Sequence, residues 1–326
     1  MAAVCTTNKA TAEASANAFG ASLAFDDFDA MVSHQDVDMV VVCVRAPYHR
    51  ELTMRAVRAG KPVFCEWPLG ANLAEAKEMA AGVRTAGLRS IVGLQARSDP
   101  VVMYAREMLQ QGFVGDVLTV KLSVIDQAIT KRGPGRIWQR VRSNGANTLT
   151  IAAGHAIDSL CAIVGEVSSV SARVTTRITE WLTETGEPMP VDAPDTIGAV
   201  GSLVNGTEIA FHCATVPFNP SGNVMEIYGS EGTLVISTTR HGRTMRGAQR
   251  GDTLDEMAIP DRFTLVPKDT PVGPPFNVAQ AYARFAEATK TGEPFDPDFD
   301  RAVKRHQLID AIERSHEERR TVALAE

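Results

Sequence analysis

The residues best suited to proton chemistry lie in Gly154-His155-Ala156-Ile157-Asp158, inside an apolar stretch over 149–164 whose spacing predicts a helix. Residues three and four apart share a helix face, so Ile151, His155 and Asp158 form one stripe. A histidine titrates near neutrality, which suits a general base that takes a proton from an alcohol, and Asp158 could orient it. The same pattern also describes a core histidine satisfied by Asp158. A second group is Glu66-Trp67-Pro68, where Val63 and Phe64 read as the end of a buried strand and Pro68 stops it. These three residues would project from the carboxyl edge, where open parallel sheets bind ligands. Trp67 is a flat apolar face on which a ligand ring could stack, or a packing residue. Gln95 and Arg97 end another strand on that edge and are candidates to bond a sugar or phosphate, with a surface salt bridge as the other reading of Arg97. Trp138, in Arg136-Ile137-Trp138-Gln139-Arg140, is a candidate pocket wall ahead of the His155 helix.

The elements that position these groups follow from hydrophobic period and punctuation. A strand within 1–6, a helix over 9–19 ended by Gly20, a strand at 22–25 and a helix at 27–33 come first. An apolar run over 37–44, a helix over 49–59 and the strand ending at Phe64 make a βαβ unit, with a right-handed crossover expected. Asn72 and Glu75 form a variant capping box for a helix to about Thr85, 90–96 is a further strand, and Ser98-Asp99-Pro100 opens a helix. From Asp116 onward β-branched positions alternate with polar ones, the pattern of an antiparallel sheet covered on one face. Strands are expected at 117–125, 167–178, 196–203, 208–216, 223–228 and 233–237, with Asn205-Gly206 and Ser230-Glu231-Gly232 as turns. Residues 240–252 read as a polar loop. Asn277 is the expected cap of a helix to Thr291, and a last helix runs from 298 to about 318.

Length and charge bound the function classes. A chain of 326 residues is long for one core and points to two domains. A net charge of −6 gives no electrostatic footprint for nucleic acid, so direct DNA binding is disfavoured. The five cysteines lack metal-ligand spacing and read as buried free thiols, so no metal site is expected. No run approaches the ~20 apolar residues of a membrane span. No signal peptide is visible, and the expected location is cytoplasmic.

The ordered motifs Pro47-Tyr48-His49, Gly60-Lys61-Pro62-Val63 and Glu66-Trp67-Pro68 resemble those of the glucose-fructose oxidoreductase, inositol dehydrogenase and MocA family. Glu-Trp-Pro-Leu-Gly at 66–70, Gly93-Leu94-Gln95-Ala96-Arg97 and Asn144-Gly145-Ala146-Asn147 resemble the branch that includes the fungal galactose-pathway repressor. The resemblance spans essentially the whole chain. It implies an α/β plus α+β protein: a Rossmann-like parallel sheet, truncated at its start, over 1–97, and a large, mostly antiparallel open sheet over 98–276. Helices over 277–326 would pack back toward the first domain. The family's first strand, its Gly-x-Gly-x-x-Gly turn and its first helix have no counterpart in the sequence. The expectation is therefore a chain that starts late and, as it stands, binds dinucleotide poorly, because that turn holds the pyrophosphate.

The resemblance makes His155 the proton acceptor facing the nicotinamide, with Asp158 beside it. Two departures weaken the catalytic pattern: Ile151 stands where catalytic relatives have an acid, and Trp67 where they have lysine. The resemblance also places Pro47, Tyr48, His49, Glu66, Trp67 and Pro68 around the cofactor, and Gln95, Arg97, Trp138 and Asn147 near the substrate. Thr6, Thr7 and Lys9 follow the strand that in NAD-specific folds carries an acid for the ribose. No acid stands there, so the cofactor is NADP or NAD, with NADP favoured. The expected activity is hydride transfer between nicotinamide and a sugar, polyol or related hydroxy compound in sugar metabolism. The alternatives are a non-catalytic dinucleotide-binding sensor with a protein partner, or a scaffold with no nucleotide site. A homodimer or higher homo-oligomer through the open sheet is implied.

Overall fold

Short apolar runs alternating with amphipathic segments produce parallel strands joined by helices in the first part of the chain. The computed structural model describes residues 1–239, 242–267 and 269–324. It divides into two units, Met1–Gly93 with Asp296–Val303, and Leu94–Phe295 with Lys304–Glu326. The helical residues 274–291, expected in a separate C-terminal segment, therefore group with the second unit.

The first unit contains β1 (Ala3–Cys5), α1 (Lys9–Phe19), β2 (Leu23–Phe25), α2 (Phe28–Val32), β3 (Val40–Val42), α3 (His49–Arg58), β4 (Val63–Cys65), α4 (Leu73–Thr85) and β5 (Ser90–Val92). Asn8 starts α1 by accepting from the Thr11 amide at 2.9 Å, and Gly20 stops it in the left-handed region at φ 68°. Asn72 accepts from the Glu75 amide at 3.0 Å, while the Glu75 carboxylate accepts from the Ala71 amide at 2.8 Å. That is the expected variant box at α4. The strands lie in two parallel sheets, β1-β2 and β3-β4-β5, with no ladder between β1 and β3. Asp38 interrupts the expected 37–44 run, so β3 is only Val40–Val42, and Val41 is 43% exposed on its uncovered face. The segment 296–303 joins this unit through Val92 N to Pro297 O at 3.1 Å and Phe299 N to Ser90 Oγ at 3.2 Å.

The second unit begins with a 3-10 turn at Gln95–Ser98, where a continuing strand was expected. α5 (Pro100–Gln110) follows, opened by Asp99, whose Oδ1 accepts from the Val101 amide at 2.9 Å. Strands β6 (Val117–Gln127), β7 (Lys131–Arg132), β8 (Val167–Thr175), β9 (Glu180–Thr183), β10 (Pro188–Pro190), β11 (Thr196–Leu203), β12 (Glu208–Val216), β13 (Gly222–Gly229), β14 (Gly232–Thr239), β15 (Gly242–Gln249), β16 (Asp255–Glu256) and β17 (Val322–Ala323) complete it, with α6 (Gly154–Val164), α7 (Pro274–Thr291) and α8 (Phe299–Glu318), which begins in the first unit. Nine strands form one sheet in the order β16-β15-β14-β13-β6-β12-β11-β8-β17, antiparallel except for β6 beside β12. A small sheet, β10-β9-β7, stands apart.

Three expectations change here. The polar loop at 240–252 is largely β15, paired along β14; Met245 is its only deeply buried residue, so it lacks an apolar signature. Arg240 and His241 lie outside the described residues. Asn277 does not cap α7, which starts at Pro274; its side chain is buried and donates to Asp99 Oδ2 at 3.2 Å. One stretch, Arg142–Val164, is long and apolar enough by composition to cross a membrane, and 67% of its most apolar window is buried in the protein.

Candidate functional site

The His155 helix starts irregularly. Asn147 Oδ1 accepts from the amides of Leu149 at 3.0 Å and Thr150 at 3.2 Å, and Thr150 Oγ1 accepts from the Asn147 amide at 2.9 Å. Asn147 thus builds the helix start, with its Oδ1 committed to backbone. Leu149–Ala153 then winds as a π-helix, with Ala153 N bonded to Thr148 O at 2.9 Å, before α6 continues from Gly154. The wider turn breaks the regular stripe that joined Ile151 to His155; π turns recur at functional sites.

Asp158 does not meet His155 among the described residues. Its buried carboxylate accepts from Arg97 Nε at 3.0 and 2.8 Å and from Nη2 at 2.8 Å, and Arg305 Nε lies 3.4 Å away. This corrects both assignments: Asp158 is not the imidazole's partner, and Arg97 is neither a surface residue nor an open ligand contact but half of a buried ion pair. Arg305 also pairs with Glu166 and approaches Cys161 Sγ at 2.7 Å.

His155 is left with an enclosed Nδ1 that has no hydrogen-bond partner among the described residues. Burial, and then the charge of Arg243, push its pKa down to about 4, so the ring is neutral at physiological pH and does not titrate near neutrality as its type predicts. Gln95 resembles it: half-buried, with an enclosed Oε1 that lacks a partner. The two lie on elements that pack together, α6 and the 3-10 turn at Gln95–Ser98.

A cavity of about 310 Å³ opens beside the π turn, lined by Asn147 and Ile151 and by Asp126, Arg132, Arg136 and Trp181. Trp138, expected as its wall, does not line it; its Nε1 donates to Gly135 O at 2.9 Å and its carbonyl accepts from Asn144 Nδ2 at 2.7 Å. The aromatic wall is Trp181 on β9, with the Arg132 guanidinium 3.7 Å from its ring centroid. The alternating Glu180-Trp181-Leu182 was the available signal, and sequence reasoning passed over it.

In the first unit the remaining candidates gather at carboxyl ends of parallel strands. Thr6 Oγ1 bonds Asn8 O at 2.9 Å and Thr11 Oγ1 at 2.6 Å, while Thr7 and Lys9 are exposed. Pro47 and Tyr48 lie exposed on a 3-10 turn after β3. His49 is buried, with Nδ1 2.9 Å from Pro68 O and Nε2 3.0 Å from Val44 O, so it braces two strand ends; burial pushes its pKa down against those carbonyls. Glu66 is half-buried and burial raises its pKa, whereas Trp67 and Pro68 are buried and joined by a cis bond.

This edge fits a dinucleotide in part. The exposed Thr7 and Lys9 suit an adenosine ribose. The pyrophosphate needs a glycine turn open to a helix N-terminus, and the described residues supply none. At Gly70, ahead of α4, an added Cβ would meet Glu75 Cβ at 2.7 Å and Ala76 N at 3.2 Å, so the glycine makes room for protein rather than ligand.

Residues 1–94 match the family model described as oxidoreductase family, NAD-binding Rossmann fold, and residues 100–238 match that of the Gal80p C-terminal domain. The dehydrogenase aclE of Aspergillus oryzae is 36% identical over 164 residues, covering 50% of this chain and 45% of that protein. The galactose/lactose metabolism regulatory protein GAL80 of Saccharomyces cerevisiae is 25% identical over 235 residues, 65% of this chain and 53% of that protein. The chain thus spans about half the length of these two relatives. Levoglucosan dehydrogenase, solved with NADH and L-sorbose, shares the fold at TM-score 0.88 and 22% identity, covering 100% of this chain and 90% of that one. In series, residues 1–94 are similar to the NAD-binding oxidoreductase family of glucose-fructose oxidoreductase, inositol dehydrogenase and MocA, and residues 100–238 to the Gal80p C-terminal domain.

Proposed function

We propose that this protein is an NAD(P)-dependent oxidoreductase acting on the CH–OH group of a sugar, polyol or related hydroxy compound, with His155 as proton acceptor. The observation that carries this is the enclosed, partnerless Nδ1 of a neutral imidazole on a helix that begins with a π turn beside a cavity. A nicotinamide, when bound, supplies the hydride acceptor or donor. The chain's own part is the proton. A neutral ring can take the hydroxyl proton, and the second enclosed acceptor, Gln95 Oε1, can hold that hydroxyl or a neighbouring one. Asp158 is a positioning residue: through Arg97 it ties α6 to the turn that carries Gln95.

NADP is the favoured cofactor in this reading, because no acid follows β1 and Lys9 is exposed there. In this reading the protein acts in the cytoplasm. The partly exposed Val200 and Tyr228 and the His212 side of the large sheet support pairing between copies.

A second reading is a non-catalytic nucleotide-binding regulator. It is favoured by Ile151 and Trp67, which replace the acid and lysine of catalytic relatives, and by the Gal80-like match. Absorbance of reduced cofactor across a broad panel of sugars, polyols and their oxidised forms separates the two. Turnover that falls by roughly two to four orders of magnitude in His155→Ala supports the enzyme. Cofactor binding without turnover on any substrate supports the regulator.

A further inference from the structure

The cavity beside the π turn has an uneven charge arrangement. Four ionisable side chains line it, and two are already engaged. Asp195 accepts from the amides of Arg177 at 2.9 Å and Ile178 at 2.6 Å and from Thr196 Oγ1 at 2.9 Å. Arg132 gives Nε to Ile129 O at 2.8 Å and Nη1 to Gln139 Oε1 at 2.6 Å, and stacks on Trp181. Its Nη2 and the whole guanidinium of Arg136 have no partner among the described residues. The two cations feel each other: burial first, and then the charge of Arg136, lower the pKa of Arg132. Among the described residues no carboxylate pairs with either cation, and Asp195 is bonded to the backbone and to Thr196 Oγ1. The Asp126 carboxylate makes no hydrogen bond or ion pair among the described residues, and burial raises its pKa.

We infer that this cavity binds a polyhydroxylated carboxylate, a sugar acid, with its carboxylate on Arg132 Nη2 and Arg136 and a hydroxyl on Asp126. The inference rests on the oxidoreductase reading above, whose substrate class it narrows. A carboxylate presents two oxygens to donors that are otherwise idle, and charge-assisted bonds to guanidinium are the stronger kind. A neutral sugar would leave both arginine ends unpaired beside each other. The volume, about 310 Å³, is at the small end of ligand pockets and suits one sugar ring or its open chain. Trp181 supplies the flat apolar wall. Ile151 supplies an uncharged one where an acid would repel the ligand's carboxylate.

Calorimetric titration of the full chain with matched pairs, gluconate against glucitol and galacturonate against galactose, tests this directly, alongside turnover on the same compounds. Arg136 is exposed and bonds only through its backbone among the described residues, to Gly133 O and from Gln139 N, so Arg136→Gln should fold normally. At least one acid is expected to bind roughly tenfold or more tighter than its neutral partner, and Arg136→Gln should weaken the acid by a larger factor than the neutral compound and so erase that preference. Equal binding of acid and neutral compounds, no binding of either, or an equal loss for both in Arg136→Gln would overturn it. Acid binding with no turnover, under conditions where the dinucleotide is shown to bind, would sink the oxidoreductase reading and leave this inference standing. Turnover of neutral sugars without acid preference would do the reverse.

Discussion

Arg97 grips both oxygens of Asp158: its Nε lies 3.0 Å from Oδ1 and 2.8 Å from Oδ2, and its Nη2 lies 2.8 Å from Oδ1. Arg305 Nε stands 3.4 Å from the same carboxylate, and all three side chains are almost free of solvent. Asp158 therefore faces two buried cations, of which Arg305 is shared with Glu166.

Asp158→Asn should accordingly cost about 3–5 kcal/mol of stability, the range for removing one partner of a buried pair. Urea unfolding measures it. A variant that unfolds at the wild-type midpoint but turns over slowly would mean that Asp158 acts in the chemistry and that the ion cluster contributes little.

His155 and His306 are both pushed down to about 4, His155 by burial and Arg243, His306 by burial. Unfolded, each titrates near 6.5. Between these values the unfolded chain binds protons that the folded protein refuses, so stability is full above about 6.5 and falls as pH drops toward 4. Each group accounts for up to roughly 3 kcal/mol. His306→Gln should flatten the decline in unfolding free energy between pH 7 and 4.5. An unchanged slope would show that His306 gains its proton without unfolding.

Much of the architecture was legible because local signals agreed with one another. Asn8 and Gly20 bracket α1, and the Asn205-Gly206 turn separates β11, which ends at Leu203, from β12, which alternates from Glu208 to Cys213. Signals failed where tertiary pairing replaced pattern, as in β15, held by β14 with one buried methionine. The site was less readable. His155 and Asp158 look like partners in sequence, yet Arg97 and Arg305, 61 residues before Asp158 and far after it, take the carboxylate. The enclosure that lowers the His155 pKa, and the convergence of Asp126, Arg132 and Trp181 on one cavity, are long-range facts with no local signature.

Gly93 and Gly82 offer a contrast in what a methyl group meets. At Gly93 an added Cβ would lie 2.9 Å from Trp67 N and 3.0 Å from Glu66 Cα, and against Glu66 Oε2. Backbone cannot yield cheaply, so Gly93→Ala should lose about 1–3 kcal/mol and change the fluorescence of Trp67. At Gly82 in α4 the neighbour at 2.7 Å is the flexible end of Met54. Gly82→Ala should therefore be neutral or gain about 0.5–1 kcal/mol from helix propensity. Equal stability of the two variants would show that the Glu66-Trp67 backbone adapts freely.

Thr6→Asp tests the cofactor preference. Thr6 Oγ1 already bonds within the first turn of α1, which has no acid of its own, and an aspartate there would complement the helix dipole by about 0.3–1 kcal/mol. Folding should thus be kept, the dipole contribution offsetting the lost donation from Thr6 Oγ1 to Asn8 O. The same carboxylate would repel a 2′-phosphate and could accept a bond from a free 2′-hydroxyl. Because the described residues lack a pyrophosphate cradle, the cleanest probes are adenosine 2′,5′-bisphosphate and adenosine 5′-monophosphate, which isolate the ribose end. The wild type should bind the bisphosphate tighter, and Thr6→Asp should reverse that order by roughly tenfold or more, about 1.4 kcal/mol. A wild-type protein that already binds the monophosphate tighter would show that the absent acid, Thr7 and Lys9 do not select the phosphorylated ribose.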